Sequence, residues 1–125
     1  MKVIVFVEGP SDRVAMEALL RPLVERKLQE GVRIQFYETP AGDRKQSLLT
    51  KVPVKAANII LNDPYAIVVG MPDLYPKNKA FPHETFEELR DGMVANFERA
   101  LRQNTADPDP RYGHRFKVFL LQARS

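Results

Sequence analysis

The spacing of apolar residues changes several times along the chain, and each change predicts an element. Met1 to Val7 reads MKVIVFV, a run of Val, Ile and Phe with one charged interruption. Such a run, without alternation, fits a strand buried on both faces, as at the centre of a parallel sheet. From Ser11 or Asp12 onward Val14, Ala15, Ala18, Leu19, Leu23 and Val24 recur at helical spacing. Pro10 sits where a helix N-terminus tolerates proline, and Pro22 is a point of kinking. Gly31 then ends the helix, and Val32, Ile34 and Phe36 alternate with Arg33, Gln35 and Tyr37 as a second strand would.

After the turn-like Thr39-Pro40-Ala41-Gly42, Leu48, Leu49, Val52, Ala56, Ile59 and Ile60 predict a second helix. Pro53 in its interior costs about 3 kcal/mol unless relieved, so a kinked or divided helix is expected. Asn62-Asp63-Pro64 breaks it, and Tyr65 to Met71 is another Ala, Ile and Val run fit for a buried strand, ending at Pro72-Asp73. Thr85-Phe86-Glu87-Glu88 matches a capping box, and Phe86, Leu89, Met93, Phe97 and Leu101 form the apolar stripe of a third helix. A polar loop from Asn104 to Gly113 leads to a last strand, Phe116 to Leu121. Strands alternating with helices imply right-handed crossovers and an α/β fold, a mostly parallel four-stranded sheet between two helical layers.

Composition narrows the chemistry more than the fold. The length of 125 residues suits one domain with one core, spanning residues 1–125, and 44% hydrophobic with 28% charged residues excludes disordered and fibrous classes. The absence of cysteine excludes disulfides, thiolate zinc sites and thiol nucleophiles, and His83 and His114 lack ligand-spaced neighbours, so any metal is expected to be oxygen-bound. A net charge of +3 is compatible with a polyanionic partner without demanding one. The chain opens directly on a strand-like run, and its longest apolar stretches fall short of the about 20 residues that cross a bilayer, so a cytoplasmic protein without a membrane partner is expected.

The candidate chemistry lies in acids at strand ends. In an open α/β sheet, ligands bind outside the carboxyl ends of the strands, where helix N-termini also point N–H groups and positive dipole ends. Glu8 follows the first strand, Asp12 opens the first helix and Asp73 follows the third strand. If the first and third strands are neighbours, giving the order 2-1-3-4, Glu8 and Asp73 face one crevice. Carboxylates gathered there repel one another unless a cation lies between them, and oxygen ligation is what Mg²⁺ and Mn²⁺ prefer. The plainer alternative makes Asp12 a first-turn residue, Asp73 a turn opener and Glu8 a solvated loop residue.

The pattern strand-VEGPSD-helix, with a later apolar strand ending in aspartate, resembles the TOPRIM domain of topoisomerases, bacterial primases and overcoming-lysogenization-defect nucleases. The likeness is greatest to small TOPRIM-like proteins of prokaryotes and covers nearly the whole chain. The resemblance implies a three-layer Rossmann-like TOPRIM fold, Glu8 as general acid or base, and Asp73 as a ligand of Mg²⁺ or Mn²⁺. It implies a nuclease acting on DNA or RNA, with an ATPase partner as some relatives have. Glu8 and Asp12 join Asp73 as candidate metal ligands, and Gly9 would let the backbone turn closely beside the site. The family's Asp-x-Asp reads Asp73-Leu74-Tyr75 here, so one carboxylate is absent and Tyr75 does not replace it near neutral pH. Asp12, Glu84 or Glu87 would have to supply that oxygen.

Two cation groups are candidates for phosphate contact: Arg44 and Lys45 in a turn after Gly42, and Lys77 and Lys79 with His83 beyond Asp73. The alternative for each is a solvated loop. Tyr37, Tyr65 and Phe36 fall in strand patterns and are expected in the core rather than as base-stacking platforms, and His114 is expected at the surface. Besides the nuclease, two other classes fit the pattern. One is a degenerate TOPRIM module that binds a phosphate-bearing ligand or partner protein without catalysis. The other is a flavodoxin-like receiver, disfavoured because receivers arrange their acidic pair and lysine differently.

Overall fold

Parallel pairing of the apolar runs builds the sheet. In the computed structural model, residues 1–39, 44–72 and 86–119 are described, the side chains of 44 and 45 excepted. Strand β1 (Lys2–Val7) pairs in parallel with β2 (Arg33–Glu38) on one side and β3 (Ala66–Met71) on the other. Strand β4 (Phe116–Val118) continues the sheet beside β3, giving the all-parallel order β2-β1-β3-β4 expected from the sequence. Helices α1 (Pro10–Leu19), α2 (Arg21–Gln29), α3 (Arg44–Asn62) and α4 (Phe86–Asn104) flank it, and a 3₁₀ turn at Pro110–Arg115 leads into β4.

The two faces of the sheet feed separate cores. Ile4 and Phe6 of β1, Val68 of β3 and Phe116 and Val118 of β4 pack with α3 and α4, where Phe97 and Phe116 stack with ring centroids 4.7 Å apart. Gly70 leaves room on this face: a Cβ there would lie 2.9 Å from the Met93 methyl. Val5 and Val7 of β1 and Phe36 of β2 turn to the other face, toward Met16, Leu20 and Val24, which are only partly buried. Neither α1 nor α2 buries any residue, and Val14, Ala15, Ala18 and Leu19 are exposed, so the first helix's apolar spacing does not mark its packed side.

Proline explains two departures from the expected helices. The first predicted helix is two, separated at Leu20, and Pro22 lies in the first turn of α2, where a missing N–H removes no helical bond. The expected kink is therefore a restart. The second predicted helix is neither divided nor interrupted: α3 runs through Pro53. Pro53 cannot donate to the carbonyl of Leu49 four residues earlier, and the side-chain amide of Asn96 on α4 donates to that oxygen instead, at 2.9 Å. A partner distant in sequence thus relieves the breaker.

Arg115 plays a comparable part at the other end of α3. Its guanidinium donates to the carbonyls of Ala66 (2.9 Å), Ile60 (3.3 Å) and Asp63, tying together the end of α3, the turn after it and the start of β3. Tyr65, expected in the third strand, precedes β3 and is exposed, and Tyr37 on β2 is exposed as well, with its ring 5.9 Å from that of Phe6. Edge position explains Tyr37, because among the described residues no strand lies beyond β2. The last strand ends earlier than expected, and its predicted continuation at Leu120 and Leu121 lies outside the described residues.

Candidate functional site

Register fixes which residues meet at the carboxyl ends of the strands. Val7, the last residue of β1, lies between Glu38 of β2 and Met71 of β3. Glu8 therefore leaves the sheet between Thr39 and Pro72, at the point where β1 connects onward to β2 on one side and β3 to β4 on the other. This is the switch point at which α/β sheets open a crevice.

Thr39 holds that end of β1 in place. Its N–H donates to the carbonyl of Val7 at 3.1 Å and its hydroxyl to the carbonyl of Glu8 at 2.5 Å. With 2% exposure, Thr39 is one of the few buried polar residues among those described, and these two bonds go to the segment carrying Glu8. A β-branched hydroxyl just after a strand is a common sight in a sequence, and nothing local announces that its partner lies on β1.

The turn after Glu8 runs into α1. Gly9 is the N-cap, with φ −137° and ψ 174°, an extended conformation open to any residue, so the site does not draw on glycine's access to positive φ at this position. No side chain caps α1, and Arg13 N–H donates to the Gly9 carbonyl at 3.1 Å. Asp12 lies in the first turn, half-buried, where a carboxylate favours the positive end of the helix dipole. Glu8 and Asp12 are thus two half-buried carboxylates on one strand-to-helix turn, a set of hard oxygen donors of the kind Mg²⁺ and Mn²⁺ take.

The structure adds two charged residues that the sequence did not single out. Glu38 closes β2 in the same row as Val7, and the Arg13 guanidinium donates to it at 2.9 Å and to Glu17 at 2.9 Å. These bonds raise the Arg13 pKa above its ordinary value, the hydrogen bond to Glu38 first and the charge of Glu17 next. Arg13 therefore ties α1 to β2 and offsets the acid that β2 brings to this rim.

Of the other candidates, Asp73, Tyr75, Lys77, Lys79, His83 and Glu84 lie outside the described residues, as do Gly42 and the side chains of Arg44 and Lys45. The backbone of Arg44 and Lys45 is not a turn but the start of α3, which follows β2 and so begins on the carboxyl side of the sheet. Glu87 is exposed on the first turn of α4, and His114 is exposed as expected. Among the described residues no group of three or more His, Cys, Asp or Glu is placed to hold a metal ion, and no helix is long and apolar enough to cross a membrane.

Comparison with known proteins found no match to a family model, a curated protein or a solved structure.

Proposed function

We propose that the chain is a TOPRIM-like phosphoryl-transfer domain acting on DNA or RNA, with Glu8 as its proton-transfer residue. The observation that supports this most is the position of Glu8 at the β1–β3 switch point, with the chain after β3 leading directly to Asp73. Mg²⁺ or Mn²⁺, when bound by Glu8, Asp12 and Asp73, would supply charge neutralisation for a scissile phosphate. Glu8 takes a proton from the attacking group or returns one to the leaving oxygen, and its half-burial restricts competition by bulk water. Thr39 positions Glu8 by fixing its carbonyl. The start of α3, bearing Arg44 and Lys45, and the segment with Lys77 and Lys79 supply cations to hold the nucleic-acid backbone. An ATPase partner would act on this domain from outside.

A second function has an observation of its own. The sequence Asp73-Leu74-Tyr75 has one carboxylate where the resembling family has two, which favours a module that binds a phosphate-bearing ligand or partner without cleaving it.

One experiment separates them. Labelled single- and double-stranded DNA and RNA are incubated with Mg²⁺ or Mn²⁺ and the parent chain, Glu8→Gln, Asp73→Asn or Tyr75→Asp. The nuclease is expected to lose at least about 10²-fold in rate with Glu8→Gln, while circular dichroism stays at the parent's. Cleavage that survives Glu8→Gln undiminished removes the mechanism. Absence of cleavage in every variant, with Tyr75→Asp gaining Mn²⁺ affinity by calorimetry, selects the binding module.

A further inference from the structure

A groove of about 620 Å³ is lined by Ile34, Gln35, Phe36 and Tyr37 of β2, together with residues of α1 and α2 that include Glu17 and Arg21. Consecutive strand residues point to opposite faces, so a groove touching all four runs along the strand's open edge rather than over one face. Among the described residues β2 is that edge, paired with β1 alone. Its six residues, RIQFYE, carry charge only at the two ends and contain no Lys or Pro of the kind that commonly blunts the middle of an exposed edge.

The phase of the backbone shows what the edge offers. Arg33 and Thr39 donate their N–H groups inward, to Met1 and Val7. Alternate residues share a direction in a parallel strand, so Ile34, Phe36 and Glu38 turn their N–H and C=O groups outward.

We propose that two copies of the chain join through β2, antiparallel, about a twofold axis at Gln35. A twofold axis perpendicular to a continuous sheet carries each face onto the same face, so even positions oppose even and odd oppose odd. Centring on Gln35 places Ile34 opposite Phe36 of the second copy. These are two outward-bonding residues whose side chains both turn to the face covered by α1 and α2. Each such pair exchanges two backbone hydrogen bonds, and the axis generates the pair twice.

On the other face, Arg33 comes opposite Tyr37 of the second copy, a cation beside an exposed aromatic ring. At the axis the two Gln35 side chains meet. Each already accepts from its own Tyr37 hydroxyl at 3.2 Å, which leaves its amide N–H groups to donate across. Centring on Phe36 instead would set Ile34 against Glu38, a carboxylate already engaged by Arg13. The register at Gln35 is the self-complementary one, and it turns two four-stranded sheets into one.

The chain has no cysteine, so a single introduced thiol reports the axis directly. Opposed residues in a non-hydrogen-bonded antiparallel pair bring their Cβ atoms to about 4.5–5.5 Å, near enough for a disulfide after a small shift. Gln35→Cys is therefore expected to give a covalent dimer on mild oxidation at high dilution, while Val54→Cys, exposed on α3, stays monomeric. Sedimentation of the parent is expected to show a reversible dimer at micromolar concentration. Gln35→Lys, which sets two like charges opposite each other, should weaken that dimer at least about fivefold while keeping the parent's circular dichroism. A monomeric parent at high micromolar concentration, a dimer indifferent to Gln35→Lys, or a dimer in which Gln35→Cys fails to cross-link would each overturn the proposal.

Discussion

On one face of the sheet, α3 and α4 bury Leu48, Leu49, Ala56, Leu89, Met93 and Phe97 completely, whereas on the other neither α1 nor α2 contributes a single buried residue. Hydrophobic stabilisation scales with the apolar area removed from water, so the first layer holds the fold together and the second is only laid against it. On that thinner side Val14 and Leu19 remain 58% and 73% exposed, and just past β4 Phe119 is 54% exposed. The candidate site borders the thinner layer, because Glu8 runs straight into α1. Segments with few buried contacts open at lower free energy, so the turn carrying Glu8 and Asp12 has a rigid strand behind it and a loosely packed helix ahead.

Truncation in each layer gives the largest contrast. Phe97→Ala, at a fully buried site, is expected to cost about 3–5 kcal/mol in chemical denaturation. Val24→Ala, at a half-buried site on α2, is expected to cost about 1 kcal/mol. Equal losses would show that the thin layer contributes as much as the thick one and would end the comparison.

The link between Asn96 and Pro53 sharpens it on the thick side. Asn96→Ala leaves the Leu49 carbonyl without its donor and is expected to destabilise by about 1–3 kcal/mol. With Ala at position 53, the backbone regains an N–H four residues after Leu49, so Asn96→Ala should then cost much less. A double-mutant cycle measures the difference. If the two substitutions were additive, Asn96 would not be what lets the helix continue through proline.

A smaller effect is expected at the 3₁₀ turn beside β4. Arg111 donates to Asp109 through its backbone N–H and its guanidinium, and the side-chain bonds, then the backbone bond, lower the Asp109 pKa from 3.8 to about 2. A carboxyl whose pKa falls on folding adds stability that is present above its ordinary pKa and is lost as pH falls through the folded value. The Asp109 carboxyl carbon, followed by NMR, should titrate near pH 2, and Arg111→Ala should return it toward 3.8. Because Asp109 is exposed to solvent screening, the melting temperature should move little in the same variant. An unshifted midpoint in the parent would remove the bond.

Signals local to the chain were enough for the strands and their alternation with helices. MKVIVFV and AIVVGM are short apolar runs bounded by breakers, and the stripe from Leu89 through Met93 and Phe97 to Leu101 is at helical spacing; such signals act over a few residues and survive without knowledge of the fold. The same signals placed Glu8 and Asp12 at a strand end and a helix start, because those positions are defined locally. Tertiary structure decided what depends on partners far along the chain. Pro53 has the same local chemistry in a broken helix as in a whole one, and only Asn96, on another helix, selects the whole one. Thr39 reads as a turn residue until β1 lies beside β2, and nothing near Arg115 in the chain tells that it donates to the Ile60 carbonyl at the end of α3. Tyr37, an aromatic in a strand pattern, is expected in the core, yet it is exposed because β2 is an edge among the described residues. Periodicity tells which side chains share a face, but only the assembled layers decide whether anything covers it.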